Sequence, residues 1–210
     1  MRMIIHPSLL ALALQLPTPD ERTSESYLRR SPNVTGKEDV TAVEVELWID
    51  EKGKTRSCRL LQSIGSREIA VRMCRKAIGT QFKPAKNVDG EPTHGLLKTI
   101  LTVFPFEYRN LARAQEKALS NNFQTLKISL EVSGEYFQST QPNFLNLLVS
   151  IDEQGHQTHC QASENTPSEI AKIACENSAQ FTFDIRTSRK ALPVAYVREV
   201  SIEFVQAPAR

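Results

Sequence analysis

Apolar and polar residues alternate at 43–49, 126–132 and 197–205, and this alternation predicts β-strands. Residues 55–61 predict a return strand, and 96–104, rich in β-branched and large apolar side chains, predict another. Asp50-Glu51-Lys52-Gly53, between the first two strands, has the composition of a hairpin turn. Apolar residues at 69, 70, 73, 74, 77 and 78 follow helical spacing. The predicted order is strand, strand, helix, strand.

The same order of residues occurs a second time in the chain. Residues 47–58 recur as 149–160, and after one deletion the correspondence continues through the helix and beyond. The shared residues are Ile49, Asp50, Glu51, Gly53, Cys58, Glu68, Ile69, Ala70, Cys74, Phe82 and Pro92, which match Ile151, Asp152, Glu153, Gly155, Cys160, Glu169, Ile170, Ala171, Cys175, Phe183 and Pro193. An internal repeat of this kind indicates duplication of one structural unit.

The sequence thus predicts an α+β fold of two tandem β-β-α-β modules, each a helix packed on a three-stranded antiparallel sheet. The modules span residues 39–108 and 141–207, each with one sheet face buried and the other in water. A structured connector at 109–140 has a helix at 111–119 and a strand at 126–132. Thr166-Pro167-Ser168-Glu169 predicts that Thr166 is the N-cap of the second module's helix and Pro167 its first residue.

The N-terminus resembles a short signal peptide covering residues 1–16. It has an early positive charge, an apolar stretch, and Ala11-Leu12-Ala13 as a small-x-small cleavage signal. The apolar run is interrupted by His6 and Pro7 and is shorter than the roughly 20 residues that span a bilayer, which disfavours a membrane anchor. The alternative is an apolar terminus that docks on the fold. Residues 17–38 are polar and predict a disordered lead-in.

Length and composition narrow the protein class. A chain of 210 residues exceeds the usual span of one domain, which favours two. With 40% hydrophobic and 24% charged residues the chain is neither collagen-like nor wholly disordered. A net charge of +2, without basic residues interleaved with aromatics, argues against nucleic-acid binding.

Each predicted module contains two cysteines, one on its second strand and one on its helix. Pairing within each copy, Cys58 with Cys74 and Cys160 with Cys175, is the simplest connectivity, and the helix spacing lets Cys74 approach Cys58. Two buried free thiols per module are the alternative. Redox catalysis is disfavoured because the sequence has no C-x-x-C motif.

Candidate catalytic and metal sites are weak. His156, His159 and Cys160 lie close in sequence, but the two histidines would point to opposite faces of a strand, so we expect no metal site. Asp50 and Asp152 could be paired acids with the glutamates that follow them, although a repeated Asp-Glu-x-Gly after a strand is far more often a turn. No nucleotide-binding glycine loop or catalytic triad motif is visible. We therefore expect neither an enzyme nor a cofactor.

Several short motifs occur in the order seen in one protein family. They are Ile49-Asp50-x-x-Gly53, Cys58, Ser63-x-Gly65, Cys74, Phe82-Lys83-Pro84-Ala85, Gly90-x-Pro92 and a final apolar strand. This order resembles the C-terminal domain of TonB-type energy transducers of Gram-negative bacteria, over residues 41–106. The second copy is similar but has Asp184-Ile185-Arg186 where the first has Lys83-Pro84-Ala85.

The resemblance implies a periplasmic protein that captures a protein or peptide, such as an outer-membrane TonB-dependent receptor, by adding it as a strand to its own sheet. The docking edge would be residues 96–104 or 197–205, with Leu97, Thr99, Leu101 and Val103 as partner-binding residues. The sequence shows no transmembrane anchor and no long proline-rich spacer, so we expect no force transduction from an inner membrane. The alternative function is an unanchored envelope structural or adaptor protein without receptor binding.

Overall fold

The computed structural model describes residues 14–19, 35–121, 127–132, 144–162 and 166–206. These contain eight strands and three α-helices. In chain order they are β1 (Thr41–Ile49), β2 (Thr55–Ile64), α1 (Arg67–Ala77), β3 (Ala85–Lys86), β4 (Pro92–Val103), α2 (Arg109–Asn121), β5 (Lys127–Val132), β6 (Phe144–Ile151), β7 (Gln157–Ala162), α3 (Ser168–Ser178) and β8 (Tyr196–Gln206). We call residues 40–108 the first half and residues 144–206 the second half.

All eight strands belong to one mixed sheet with the order β2-β1-β4-β8-β6-β7, in which β3 also pairs with β4 and β5 with β8. The predicted mixture of helices and strands is confirmed, but the expected separate three-stranded sheets are joined into one. The junction is a short parallel pairing between β4 and β8, with His94 opposite Tyr196 and Leu96 opposite Arg198. Each half is otherwise antiparallel around its central strand, β1 or β6.

The helices α1 and α3 cover opposite faces of this sheet. Side chains at 43, 45, 47 and 49 of β1 pack with α1 in one core cluster. Trp48 points to the other face, because neighbouring residues of a strand alternate. There Trp48 and Leu96 join the second core cluster, which contains Ile170 and Ala174 of α3. The second half therefore completes its core with side chains of the first.

Strand β1 is buried over its whole length, on both faces. This corrects the expectation that one face of the first module is in water. The alternating polar residues Glu44 and Glu46 are 0% and 5% exposed. Helix α1 covers one face of β1. Helix α2, whose Gln115 side chain donates to the carbonyl oxygen of Val40, packs against β1 as well, and Arg186 and Tyr196 of the second half contact Glu46 and Trp48.

The turns between the first two strands of each half have the same geometry. The Oδ1 atom of Asp50 accepts hydrogen bonds from the backbone N–H groups of Lys52 and Lys54, at 3.0 and 2.8 Å. Asp152 does the same for Gln154 and His156, at 2.9 and 2.8 Å. The carboxylates serve as turn residues, as the sequence motif predicts.

Glycine is required where each of these turns closes. Gly53 and Gly155 have φ values of 78° and 85°, in the left-handed region that side chains rarely adopt. The carbonyl oxygen of each accepts a hydrogen bond from the backbone N–H of a phenylalanine, Phe82 or Phe183. The turn thus fixes the chain segment that follows the helix.

The two helices on the sheet begin differently. The hydroxyl of Ser66 accepts a hydrogen bond from the N–H of Ile69 and caps α1. In the second half α3 begins at Ser168, and Pro167 rather than Thr166 is the N-cap. The predicted start was one residue too early, because Pro167 has an extended ψ of 136° and its carbonyl accepts the first helical hydrogen bond from Ala171.

Residues 14–19 form a strap across the two halves. Gln15 exchanges backbone hydrogen bonds with Lys86, and Thr18 exchanges them with Lys83. Leu14 is 4% exposed and packs with Ala85 of the first half and Val197 of the second. The last residues of the predicted signal peptide therefore dock on the fold, and residues 1–13 lie outside the described residues.

Candidate functional site

The predicted docking strand, β4, is paired along one edge over most of its length. Residues 95–103 pair with β1, whereas pairing with β8 on the other side covers only His94 to Leu96. Among the strands that the structure describes, none pairs with the second edge of β4 from Leu97 to Val103. This edge carries backbone groups that can receive an added strand.

The four predicted partner-binding side chains lie on one face of β4. Leu97, Leu101 and Val103 pack in the core cluster under α1, and Thr99 alternates onto the same face. These four side chains therefore face the core and not a partner. The groups that a partner could bind are the unpaired backbone N–H and C=O groups along the edge of β4. Whether a partner binds there stays a prediction.

The alternative docking edge, residues 197–205, is occupied within the chain. One side of β8 pairs with β6 from Tyr196 to Glu203. Its other side pairs with β4 at Tyr196 to Arg198 and with β5 from Ser201 to Gln206. Because β5 comes from the connector, the connector completes the sheet of the second half. Strand β4 is the better candidate of the two.

A buried ion pair lies on the opposite face of β4. The Lys98 ammonium is 3.4 Å from Oε1 of Glu44, with side-chain exposures of 13% and 0%. The side-chain amide of Gln62 donates to Oε2 of the same carboxylate at 2.5 Å. Burial lowers the pKa of Lys98, and the nearby Glu44 opposes this. The charge of Lys98 thus depends on a carboxylate from the neighbouring strand.

A second acidic residue of β1 joins the two halves. Glu46 accepts from Arg59 of β2 at 3.1 Å and lies 3.6 Å from the guanidinium of Arg186 in the second half. Asp184 also lies 3.6 Å from Arg186, and its carbonyl oxygen accepts from the Tyr196 hydroxyl at 2.8 Å. Of the three residues in which the second copy departs from the first, Asp184-Ile185-Arg186, Arg186 contacts the first half and Asp184 contacts Arg186.

Aromatic side chains mark the junction of the halves. The rings of Trp48 and His94 stack with centroids 5.2 Å apart, and Tyr196 meets Trp48 edge-on at 5.6 Å. Nε2 of His94 is 3.0 Å from a carboxylate oxygen of Glu51. Burial lowers the pKa of His94, and Glu51 partly offsets that effect.

Beside these rings, where the halves meet, is a cavity of about 700 Å³. The β1–β2 turn, the start of β4 and residues 187–190 of the second half form its walls. A volume of this size is in the range of small-molecule sites, roughly 300–1,000 Å³. The sequence did not reveal it, because its walls come from segments far apart in the chain.

All four cysteines form disulfides in the expected pairs, Cys58 with Cys74 and Cys160 with Cys175. The paired Cα atoms are 5.5 and 5.7 Å apart, within the usual range for a disulfide. Each bond joins the second strand of its half to the helix. Disulfides persist in oxidising compartments, so the pair of bonds indicates a protein that folds outside the cytosol.

The histidines of the second half make no recognisable metal site. Cys160 is held in a disulfide, and Nδ1 of the exposed His156 lies 3.7 Å from Asp152. Backbone hydrogen bonds, first that from His156, lower the pKa of Asp152. Within the described ranges, no group of three or more His, Cys, Asp or Glu is arranged to hold a metal ion. The helices in those ranges also lack the length and apolar character needed to cross a bilayer.

Comparisons with models of known protein families, with curated proteins and with solved structures found no match.

Proposed function

We propose that this chain is a periplasmic TonB-like binding protein that captures a protein or peptide partner by β-strand addition. The partner would be an outer-membrane receptor of TonB-dependent transport, and its extended segment would pair with β4. The unpaired edge of Leu97–Val103 carries this proposal, because strand addition needs a row of free backbone donors and acceptors. No covalent chemistry is required.

Kinship with TonB-type domains rests on two tandem β-β-α-β modules derived by duplication. Both halves have the order strand, strand, helix, strand, a carboxylate-supported turn and a strand-to-helix disulfide. These shared details support a duplicated module. The continuous sheet is consistent with it, since joining equivalent strands β4 and β8 in parallel places the two helices on opposite faces.

The environment of the β4 edge suits an extended partner. Side chains of β4 are half-buried between Leu97 and Thr102, so an added strand would gain cover from both faces. Below the edge lies the core that α1 covers, which fixes the strand in place. Because this edge is already formed, the conformational entropy lost on binding is mainly that of the partner segment.

Proline substitution tests the edge directly. Backbone N–H groups of a strand point alternately to its two sides, so one of Thr99 and Ile100 donates toward β1 and the other toward the open edge. Thr99→Pro and Ile100→Pro should therefore differ. The inward proline should destabilise the fold, and the outward proline should leave it folded while abolishing recovery of outer-membrane receptors from a Gram-negative envelope extract.

The wild-type protein should recover those receptors, and hydrogen exchange should show new amide protection across residues 97–103 in the complex. Circular dichroism and thermal unfolding of each variant establish which proline is tolerated. The proposal is wrong if the folded proline variant captures receptors as well as the wild type does. It is equally wrong if the wild type recovers none.

A second candidate is an unanchored envelope adaptor or structural protein without receptor binding. The observation in its favour is the union of the two halves, in which Trp48 and Leu96 complete the core of the second half. Modules that pack mainly on each other need no further partner for stability. Consistent absence of receptors from the wild-type pull-down, with a folded protein, would favour this candidate.

A further inference from the structure

The cavity between the halves has an excess of positive charge on its rim. Its lining includes the cationic residues Lys52, Arg56, Arg189 and Lys190, against two acidic residues, Asp50 and Glu51. A concave site with one sign of charge in excess concentrates ligands of the opposite sign. An excess of positive charge alone does not define a binding site. A cation is available to a ligand only if it is not already paired with an acidic group of the protein.

The two acidic groups are already engaged within the protein. Asp50 accepts two backbone N–H groups through Oδ1, and its Oδ2 binds the guanidinium of Arg56 at 2.5 Å. Glu51 lies 3.0 Å from His94. Both carboxylates are therefore paired within the protein, and Asp50 neutralises the charge of Arg56.

Three cations remain without such a partner. Lys52, Arg189 and Lys190 form no ion pair with any residue that the structure describes. All three are exposed, and they come from different walls, the first from the β1–β2 turn and the others from the second half. A ligand with at least two acidic groups could contact both walls at once.

The remaining wall supplies an apolar surface and hydroxyl groups. The stacked rings of Trp48 and His94 line the cavity, and His94 is 13% exposed at its side chain. Ser57, Thr187 and Ser188 add hydroxyl donors. Binding pockets commonly combine an apolar wall with a few convergent polar groups.

We propose that this cavity binds a small organic polyanion, with its acidic groups on Lys52, Arg189 and Lys190 and its carbon frame against the Trp48–His94 wall. Arginine and lysine bind carboxylate, sulfate and phosphate oxygens through charge-assisted hydrogen bonds. The site is distinct from the β4 edge and does not depend on strand addition. It would let the protein sense or carry a small solute beside its partner-binding edge.

Benzene-1,3,5-tricarboxylate is a suitable probe, because it combines three acidic groups with a flat ring. Calorimetric titration should show saturable binding at millimolar concentrations or below, and the fluorescence of Trp48, the single tryptophan, should change in parallel. Propane-1,2,3-tricarboxylate, which lacks the ring, should bind more weakly, and inorganic phosphate more weakly still. Added salt should weaken all three, since the rim is exposed.

The double variant Arg189→Gln/Lys190→Gln should weaken binding of the tricarboxylate about tenfold, since it removes two charge-assisted contacts. Arg72→Gln/Lys172→Gln removes the same charge from exposed helix positions outside the cavity and should bind like the wild type. All four residues are exposed, so both variants should fold, which circular dichroism can verify.

Three results would overturn the proposal. One is the absence of saturable heat for the tricarboxylate with a folded wild-type protein. The other is equal loss of affinity in the two double variants, which would mean that net charge and not this cavity attracts the anion. Equal affinity for inorganic phosphate and the tricarboxylate would remove the role of the aromatic wall and refute the organic ligand.

Discussion

Replacing Lys98 by methionine while Glu44 stays in place should destabilise the protein by about 3 kcal/mol at neutral pH. The reason is that the Glu44 carboxylate, 0% exposed, loses its cationic partner and keeps only the amide of Gln62. A buried charge with one neutral donor is poorly compensated. Methionine fills a similar volume, so the substitution changes charge more than packing.

The magnitude follows from the geometry of the pair. At 3.4 Å the attraction between unit charges is about 5 kcal/mol at an effective dielectric constant near 20. Burial nevertheless lowers the pKa of Lys98, and the Glu44 carboxylate opposes this effect. Buried ion pairs as a whole commonly contribute little net stability, because desolvation offsets the attraction, whereas loss of one partner is costly.

A double-mutant cycle tests this reasoning. Glu44→Gln/Lys98→Met removes both charges and should restore stability to within about 1 kcal/mol of the wild type. Urea unfolding followed by Trp48 fluorescence and by far-ultraviolet circular dichroism measures the four free energies, and coincidence of the two signals checks that unfolding is two-state. If the double variant is no more stable than Lys98→Met, the uncompensated charge is not the cause.

Three further predictions concern the strap, a turn and the half-buried His94. Leu14→Ala should cost about 2–3 kcal/mol, measured by urea unfolding against the exposed control Gln15→Ala, because Leu14 is 4% exposed. Gly53→Ala should cost about 2–4 kcal/mol, measured in the same way, because a Cβ there would strike the carbonyl of Phe82 at a positive φ; an unchanged midpoint would contradict this. The lowered pKa of His94 means that, as pH falls through its ordinary value of 6.5, the unfolded chain takes up a proton first, so the stability present above pH 6.5 is progressively lost below it. His94→Gln should remove this part of the pH dependence in unfolding experiments, and identical pH profiles would exclude it.

Local structure followed closely from the sequence. The strand predicted at 43–49 is β1, and the helix predicted from apolar spacing is α1. The Asp-Glu-x-Gly turns and both disulfides also agree with expectation. Each of these features depends on residues near one another in sequence or on one helix-to-strand contact, which periodicity and spacing encode.

Long-range packing was beyond the sequence pattern. Glu44 and Glu46 alternate with apolar residues and look solvent-facing, but contacts from β2, β4 and the second half bury them. The parallel pairing of β4 with β8 leaves no signature in either strand. A lone lysine, Lys98, within an apolar strand was the available signal that a buried acid lies opposite.

The sequence pointed to β4 as a docking edge, and partner binding there stays a prediction. Strand β4 lies inside the sheet, and its side toward β8 is paired with a described strand only at His94 to Leu96, whereas β8 has partners on both sides. The cavity was missed because Trp48, His94 and residues 187–190 meet only after the halves join. Sequence motifs identify sites that lie within one segment of the chain, whereas this cavity is formed by three separate segments.

The outermost strands, β2 and β7, are the ones that the two disulfides tie to helices. Terminal strands of a sheet are the first to fray and the ones most able to recruit another chain into an aggregate. Reduction of the two disulfides should therefore destabilise the terminal strands β2 and β7 first. The pairing between β4 and β8 at the centre of the sheet should be lost last. In an oxidising environment the two bonds would therefore protect the margins of the sheet from fraying.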